Sequence, residues 1–242
     1  MISPEEVKRL SIRYQTRPLT IAREYAQHCF LSELYKLKNS DRLLFKGGTA
    51  LRLIYQGPRY SEDLDFTGIN NISYHEIEDL LTETLRNLTP WGFEIDIKEA
   101  KKTTGGYLAK IDFSFSGFNL TLKIEISFRP RKQKSKGVVC RIKNEYIPHY
   151  DIYQLPLSKI VEGKISALLS RAKARDWYDL YFFLRGQMLE SKQKELLPKL
   201  LEKLKRSSTN FRKELKDFLP RSHQIILKDF KANLIRELKR FV

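Results

Sequence analysis

Cysteine is nearly absent: Cys29 and Cys140 are the only two in 242 residues. Two thiols this far apart supply neither the disulfide framework of a small secreted scaffold nor the paired-cysteine half of a zinc finger, and they suit a reducing, cytoplasmic setting. No apolar run approaches the roughly 18 residues that a membrane-spanning helix requires, and the opening MISPEEVKRL is charged where a secretory signal is apolar. The four histidines, His28, His75, His149 and His223, have no metal-ligand spacing and are read as packing residues. Acidic residues are few as well, 29 against 45 Lys plus Arg, which leaves a formal net charge of +16.

Apolar side chains, by contrast, are plentiful. At 41% hydrophobic and 12% aromatic residues the chain holds enough for a substantial core, in one or two domains. The basic excess is uneven: +5 over residues 1–158 and +11 over residues 159–242. A concentration of this kind is the footprint of a face that meets a polyanion, with well-solvated helix surfaces as the plainer alternative.

Local patterns divide the chain at the same place. Ser3-Pro4-Glu5-Glu6 has the form of a capping box with proline at the first helical position, and Ala22, Tyr25, Ala26, Cys29, Phe30 and Leu34 recur at helical spacing. Leu43-Leu44-Phe45 reads as a short buried strand, followed by Gly47-Gly48, a helix from Thr49 to Tyr55 and a turn at Gln56-Gly57-Pro58. A second strand covers 64–66, and Ser73 with Glu76 opens a capped helix that runs to about Thr89. Strands follow at 93–98, 108–115 and 120–128, the last two joined by the turn Ser116-Gly117-Phe118-Asn119. The segment 129–136, RPRKQKSK, lacks apolar periodicity and reads as a mobile basic loop. After Pro156 only helical spacing remains, near 160–169, 177–189, 193–205 and 223–241. The expectation is an α+β protein: a mixed β-sheet flanked by helices over residues 1–158, then a basic helical bundle over 159–242.

Several positions could carry chemistry. In Asp63-Leu64-Asp65-Phe66 strand alternation turns both carboxylates one way and Leu64 and Phe66 into the core; two such oxygen donors are what a Mg2+ on nucleotide phosphates requires. Phe45-Lys46-Gly47-Gly48-Thr49 joins a strand to a helix through two glycines and a hydroxyl, either as a phosphate cradle or as a tight turn with Thr49 as N-cap; the P-loop signature is absent. A third acid could be Glu125 in Lys123-Ile124-Glu125-Ile126-Ser127, preferred over Asp112, which has the same local pattern. Lys164, Ala167 and Arg171 share a helix face. In the stretch from Arg171 to Asp179, Asp176 is either functional or an N-cap with Asp179 at its third position.

The ordered set FKGGTALRL, RYSEDLDF, LKIEIS and KISALLSRAKARDWYDLYFF resembles the AbiEii/AbiGii toxin family, within the DNA polymerase beta-like nucleotidyltransferase superfamily, over residues 43–185. Threonine stands at Thr49 where serine is common, and glutamate at Glu125 where aspartate is common. The resemblance implies a nucleotidyltransferase fold and transfer of a nucleoside monophosphate from an NTP, with pyrophosphate leaving. It implies Mg2+ (or Mn2+) on Asp63, Asp65 and Glu125. It implies a nucleotide pocket from Gly47, Gly48, Thr49, Ser61 and Lys164, and an active-site role for Asp176. It implies phosphate or RNA contacts from Arg171, Lys173 and Arg175. Acceptors in such a family include the 3' end of tRNA, and a separately encoded antitoxin is the implied partner. The competing readings are transfer to a small molecule such as an aminoglycoside or to a protein side chain, and a non-catalytic nucleic-acid-binding module. A basic bundle favours the RNA acceptor, because a cationic drug calls for an acidic pocket.

Overall fold

The computed structural model describes residues 1–128 and 136–241. Apart from Lys136, the basic loop expected at 129–136 lies outside the described residues. The chain divides into two compact units, residues 1–56 with 60–155, and residues 57–59 with 156–242.

In the first unit, α1 (Pro4–Arg13) begins as its sequence implies, with Pro4 at the first position and the Ser3 hydroxyl accepting from the Glu6 amide at 3.2 Å. Helix α2 (Pro18–Leu34) is buried almost all round, as a helix enclosed by neighbours must be. It packs against α1, α4 (Tyr74–Leu88) and the sheet. The start of α4 is a complete capping box: the Ser73 hydroxyl accepts from the Glu76 amide, and the Glu76 carboxylate accepts from the Ser73 amide at 2.8 Å.

Among the described residues seven strands form one mixed sheet: β1 (Leu43–Lys46), β2 (Asp63–Gly68), β3 (Glu94–Thr103), β4 (Gly106–Phe115), β5 (Phe118–Phe128), β6 (Val138–Ile142) and β7 (Tyr150–Gln154), in the order β3-β4-β5-β2-β1-β7-β6. β2 is antiparallel to β1 and parallel to β5, and β1 is parallel to β7. The β4–β5 hairpin turns through Ser116 and Gly117, both at positive φ, with Phe115 opposite Phe118. That is the two-residue turn whose twist suits antiparallel strands. The core gathers on the α2 side of the sheet, where Leu64 and Phe66 of β2 and Ile124 and Ile126 of β5 are buried. Strands β6 and β7 have no counterpart in the sequence expectation.

In the second unit α5 (Leu157–Ser170), α6 (Ala174–Arg185), α7 (Ser191–Lys194), α8 (Leu197–Arg206), α9 (Phe211–Leu215) and α10 (Phe230–Leu238) pack around the fully buried Trp177, Phe183 and Phe230. Tyr178 stacks on Phe230 with ring centroids 5.6 Å apart. Among the described residues no helix is long and apolar enough to cross a membrane.

Candidate active site

The first unit's site is built on the face of β2 and β5 away from the core. The parallel register sets Asp63 opposite Lys123 and Asp65 opposite Glu125. Alternation along each strand then puts Asp63, Asp65, Lys123, Glu125 and Ser127 on one face. Asp112 sits on β4, which β5 separates from β2, and it accepts from the Thr121 hydroxyl at 2.6 Å. Of the two candidate third acids, the sheet therefore makes Glu125 the strand neighbour of the aspartates.

The connection from β1 brings Lys46 and the glycine pair to the same place. Lys46 lies opposite Asp65 and donates to the Ser127 hydroxyl at 2.5 Å. Helix α3 (Gly47–Leu53) starts two residues before the sequence reading, so both glycines lie in its first turn and Lys46 is its N-cap. Thr49 is therefore not the cap. It is buried, and its hydroxyl donates to the Asp63 carbonyl, fastening α3 to the start of β2. Gly47 has φ +82°, and a Cβ there would stand 2.0 Å from Oδ2 of Asp65; only glycine permits this approach. Ser61 has its carbonyl held by the Gln27 amide at 3.0 Å. A cavity of about 360 Å³ opens between Lys46, Asp65, Tyr107, Glu125 and Ser127.

Within this face Glu125 is bound by the ammonium of Lys123. The hydrogen bond with Glu125 raises the Lys123 pKa against partial burial, and the charges of Glu125, Asp63 and Asp65 add to the rise. Among the described residues no three His, Cys, Asp or Glu side chains are clustered as a metal site. The donor chemistry nevertheless suits a hard cation, with two carboxylates on one strand face and a third in register beside them.

The residues of the second unit form a buried ion network. Asp179 accepts from Nε and Nη2 of Arg59 at 2.9 and 3.0 Å, and lies 2.7 Å from the Lys164 ammonium. Asp176 lies 3.1 Å from Arg171 Nε and 3.4 Å from Lys164. Burial opposes ionisation of Asp179, but the charges of Arg59 and Lys164 and their hydrogen bonds prevail, and its carboxyl titrates below the usual range. The N-cap of α6 is Lys173, so Asp176 is in the first helical turn rather than at the cap, with Asp179 three residues on. Lys173 is exposed, and Arg175 lies over the Phe218 ring at 5.1 Å. Sequence reasoning missed Arg59, which no periodicity marks. It also left Lys46 and Lys123 without a role, although strand alternation had already aligned Lys123 with Glu125.

A glycine-supported pair of strand-borne aspartates, with a third acid on the neighbouring parallel strand, is the arrangement that the resemblance to nucleotidyltransferases implies. Residues 29–240 match the family model described as nucleotidyl transferase AbiEii toxin of type IV toxin–antitoxin systems, and the chain belongs to that family. No curated protein matches it. Among solved structures it is similar to JHP933 from Helicobacter pylori, at 23% identity and TM-score 0.64 over 93% of each chain. It is also similar to MenT4, a nucleotidyltransferase toxin of Mycobacterium tuberculosis, at 18% identity and TM-score 0.66 over 100% of this chain and 90% of that one. At these identities the two structures establish the fold.

Proposed function

We propose that this nucleotidyltransferase moves a nucleoside monophosphate from an NTP to an RNA acceptor, the 3' end of a tRNA, in a reaction that depends on Mg2+ or Mn2+. The observation that carries the reading is the β2–β5 register, with Asp65 opposite Glu125 and Gly47 beneath the Asp65 carboxylate. Asp63, Asp65 and Glu125 would hold the divalent ion, whose chemistry when bound is to offset charge on the phosphates. In the transfer the acceptor hydroxyl oxygen bonds to the α-phosphorus, the α–β bridging bond breaks, and pyrophosphate leaves with that electron pair. The acceptor proton passes to a carboxylate of this face, a role that is the alternative to metal binding for Glu125.

Gly47 and Gly48 would let the backbone approach the nucleotide, with Thr49 and Ser61 shaping the same stretch. Lys164 would neutralise triphosphate charge, with Asp176 and Asp179 orienting its ammonium through the pairings above. Arg171, Lys173 and Arg175 would meet RNA phosphates, and the +11 excess of residues 159–242 supports that acceptor. A separately encoded antitoxin is the partner that the family implies.

The test is incubation with each α-labelled NTP and total tRNA. Label should enter RNA with at least one nucleotide in the presence of Mg2+, and Asp63→Ala should abolish it. Absence of labelled RNA with all four nucleotides, or full activity of the variant, would defeat the proposal.

A further inference from the structure

The acid face carries cations of its own, Lys46 opposite Asp65 and Lys123 opposite Asp63, and nothing in the expected chemistry used Lys123. Lys123 stands directly opposite Asp63 in the parallel ladder, and Glu125 stands opposite Asp65. Neighbouring strands are about 4.8 Å apart, so these four side chains crowd one small area. Three carboxylates alone at that spacing would repel one another. The Lys123 ammonium relieves this: it is paired with Glu125 and stands across the ladder from Asp63. Glu125 is thus held by a lysine two residues before it on its own strand, and among the described residues no three acids are clustered as a metal site.

We propose that Lys123 is a built-in counter-cation that shields the acid face from free divalent ions and gives up Glu125 when an ion arrives together with a triphosphate. This rests on the reading of Asp63, Asp65 and Glu125 as the metal-binding acids. The lysine is tethered beside the carboxylates, so its local concentration far exceeds that of a dissolved ion. A free divalent ion must displace the ammonium and then remain near it, like charge against like. An ion bound to a nucleotide brings phosphate oxygens that give the displaced ammonium a new partner, so the same exchange leaves no cation unpaired. Lys123 is on this account a positioning residue that couples metal loading to nucleotide binding.

The experiment titrates the full chain with Mn2+ alone, without nucleotide, and reads unbound Mn2+ by its paramagnetic resonance signal. Removing a unit charge about 5 Å from the ion gives Lys123→Met an affinity on the order of tenfold tighter than the parent chain. Lys123→Arg, which keeps the charge, stays near the parent, and Asp63→Asn added to Lys123→Met removes the gain. Near-UV circular dichroism checks the fold; if Lys123→Met does not fold, Lys123→Gln replaces it in the same titration. Equal or weaker Mn2+ affinity in a natively folded charge-removed variant overturns the proposal. If RNA labelling by the parent chain is intact in that case, only the role of the lysine falls. If neither the parent nor the charge-removed variant binds Mn2+, the metal-binding reading of the face falls with it.

Discussion

An alanine at Gly47 would meet two obstacles at once, a φ of +82° and an Asp65 oxygen 2.0 Å from the new Cβ. The strain is that of a side chain in the left-handed region, about 1–2 kcal/mol. The larger effect is on Asp65, which must move away from its place opposite Glu125. A displacement of about 1 Å in a positioned group lowers rate by about a hundredfold. Gly47→Ala should therefore lose about two orders of magnitude in nucleotide transfer while its urea midpoint falls only modestly. Unchanged kcat would show that the approach of backbone to carboxylate does not matter.

Helices α5 and α6 are joined by carboxylates withdrawn from water and the cations that face them. Arg59 and Asp179 each expose 4% of their side chains, and Lys164 exposes 16%. Removing one partner from a buried pair leaves the other charge uncompensated, which costs about 3–5 kcal/mol. Arg59→Met should fall at the lower end of that range at pH 7, because Lys164 still faces Asp179. The folded-state pKa of Asp179 is depressed, so its pairings stabilise the unit above the unfolded carboxylate value of about 3.9. That contribution is lost as pH falls through the lower folded value, and the deficit of Arg59→Met should narrow there. Urea unfolding at neutral and acid pH measures both; an equal deficit at every pH contradicts the argument. The same network explains why Asp176 and Asp179 belong together. Both face Lys164, and a helical rise of three residues from the first turn of α6 supplies the spacing.

A net charge of +16, most of it carried beyond residue 158, gives the protein a long-range attraction for phosphate backbones. On the proposed reading, in which the acceptor is RNA, its binding should weaken steeply with salt. With about four phosphate contacts, raising salt from about 50 to 200 mM lowers affinity roughly a hundredfold, readable as the slope of log Kd against log salt. A flat dependence would mean that the basic excess is only a solvated surface and that the acceptor is held by other means.

What the sequence by itself determined was local. Ser3 and the Ser73–Glu76 pair fix helix starts, because the orphan amides of a first turn are satisfied within three residues. The alternation in Asp63-Leu64-Asp65-Phe66 and Lys123-Ile124-Glu125-Ile126 assigns each side chain to a face, since successive residues of a strand point opposite ways. Strands β6 and β7 were missed for different reasons: Val138 and Val139 of β6 are both exposed, so it offers no clean apolar stripe, whereas β7 does alternate, with Tyr150 and Ile152 buried about an exposed Asp151, but over only five residues. Only the tertiary structure decided that β5 lies beside β2, after α4, β3 and β4 intervene, and so which acid meets Asp65 and which lysine meets Glu125. It likewise brought Arg59 to Asp179 across 120 positions of chain. Alternation has a period of two residues and reports facing; register between distant strands depends on hydrogen-bond ladders and core packing that no short window contains.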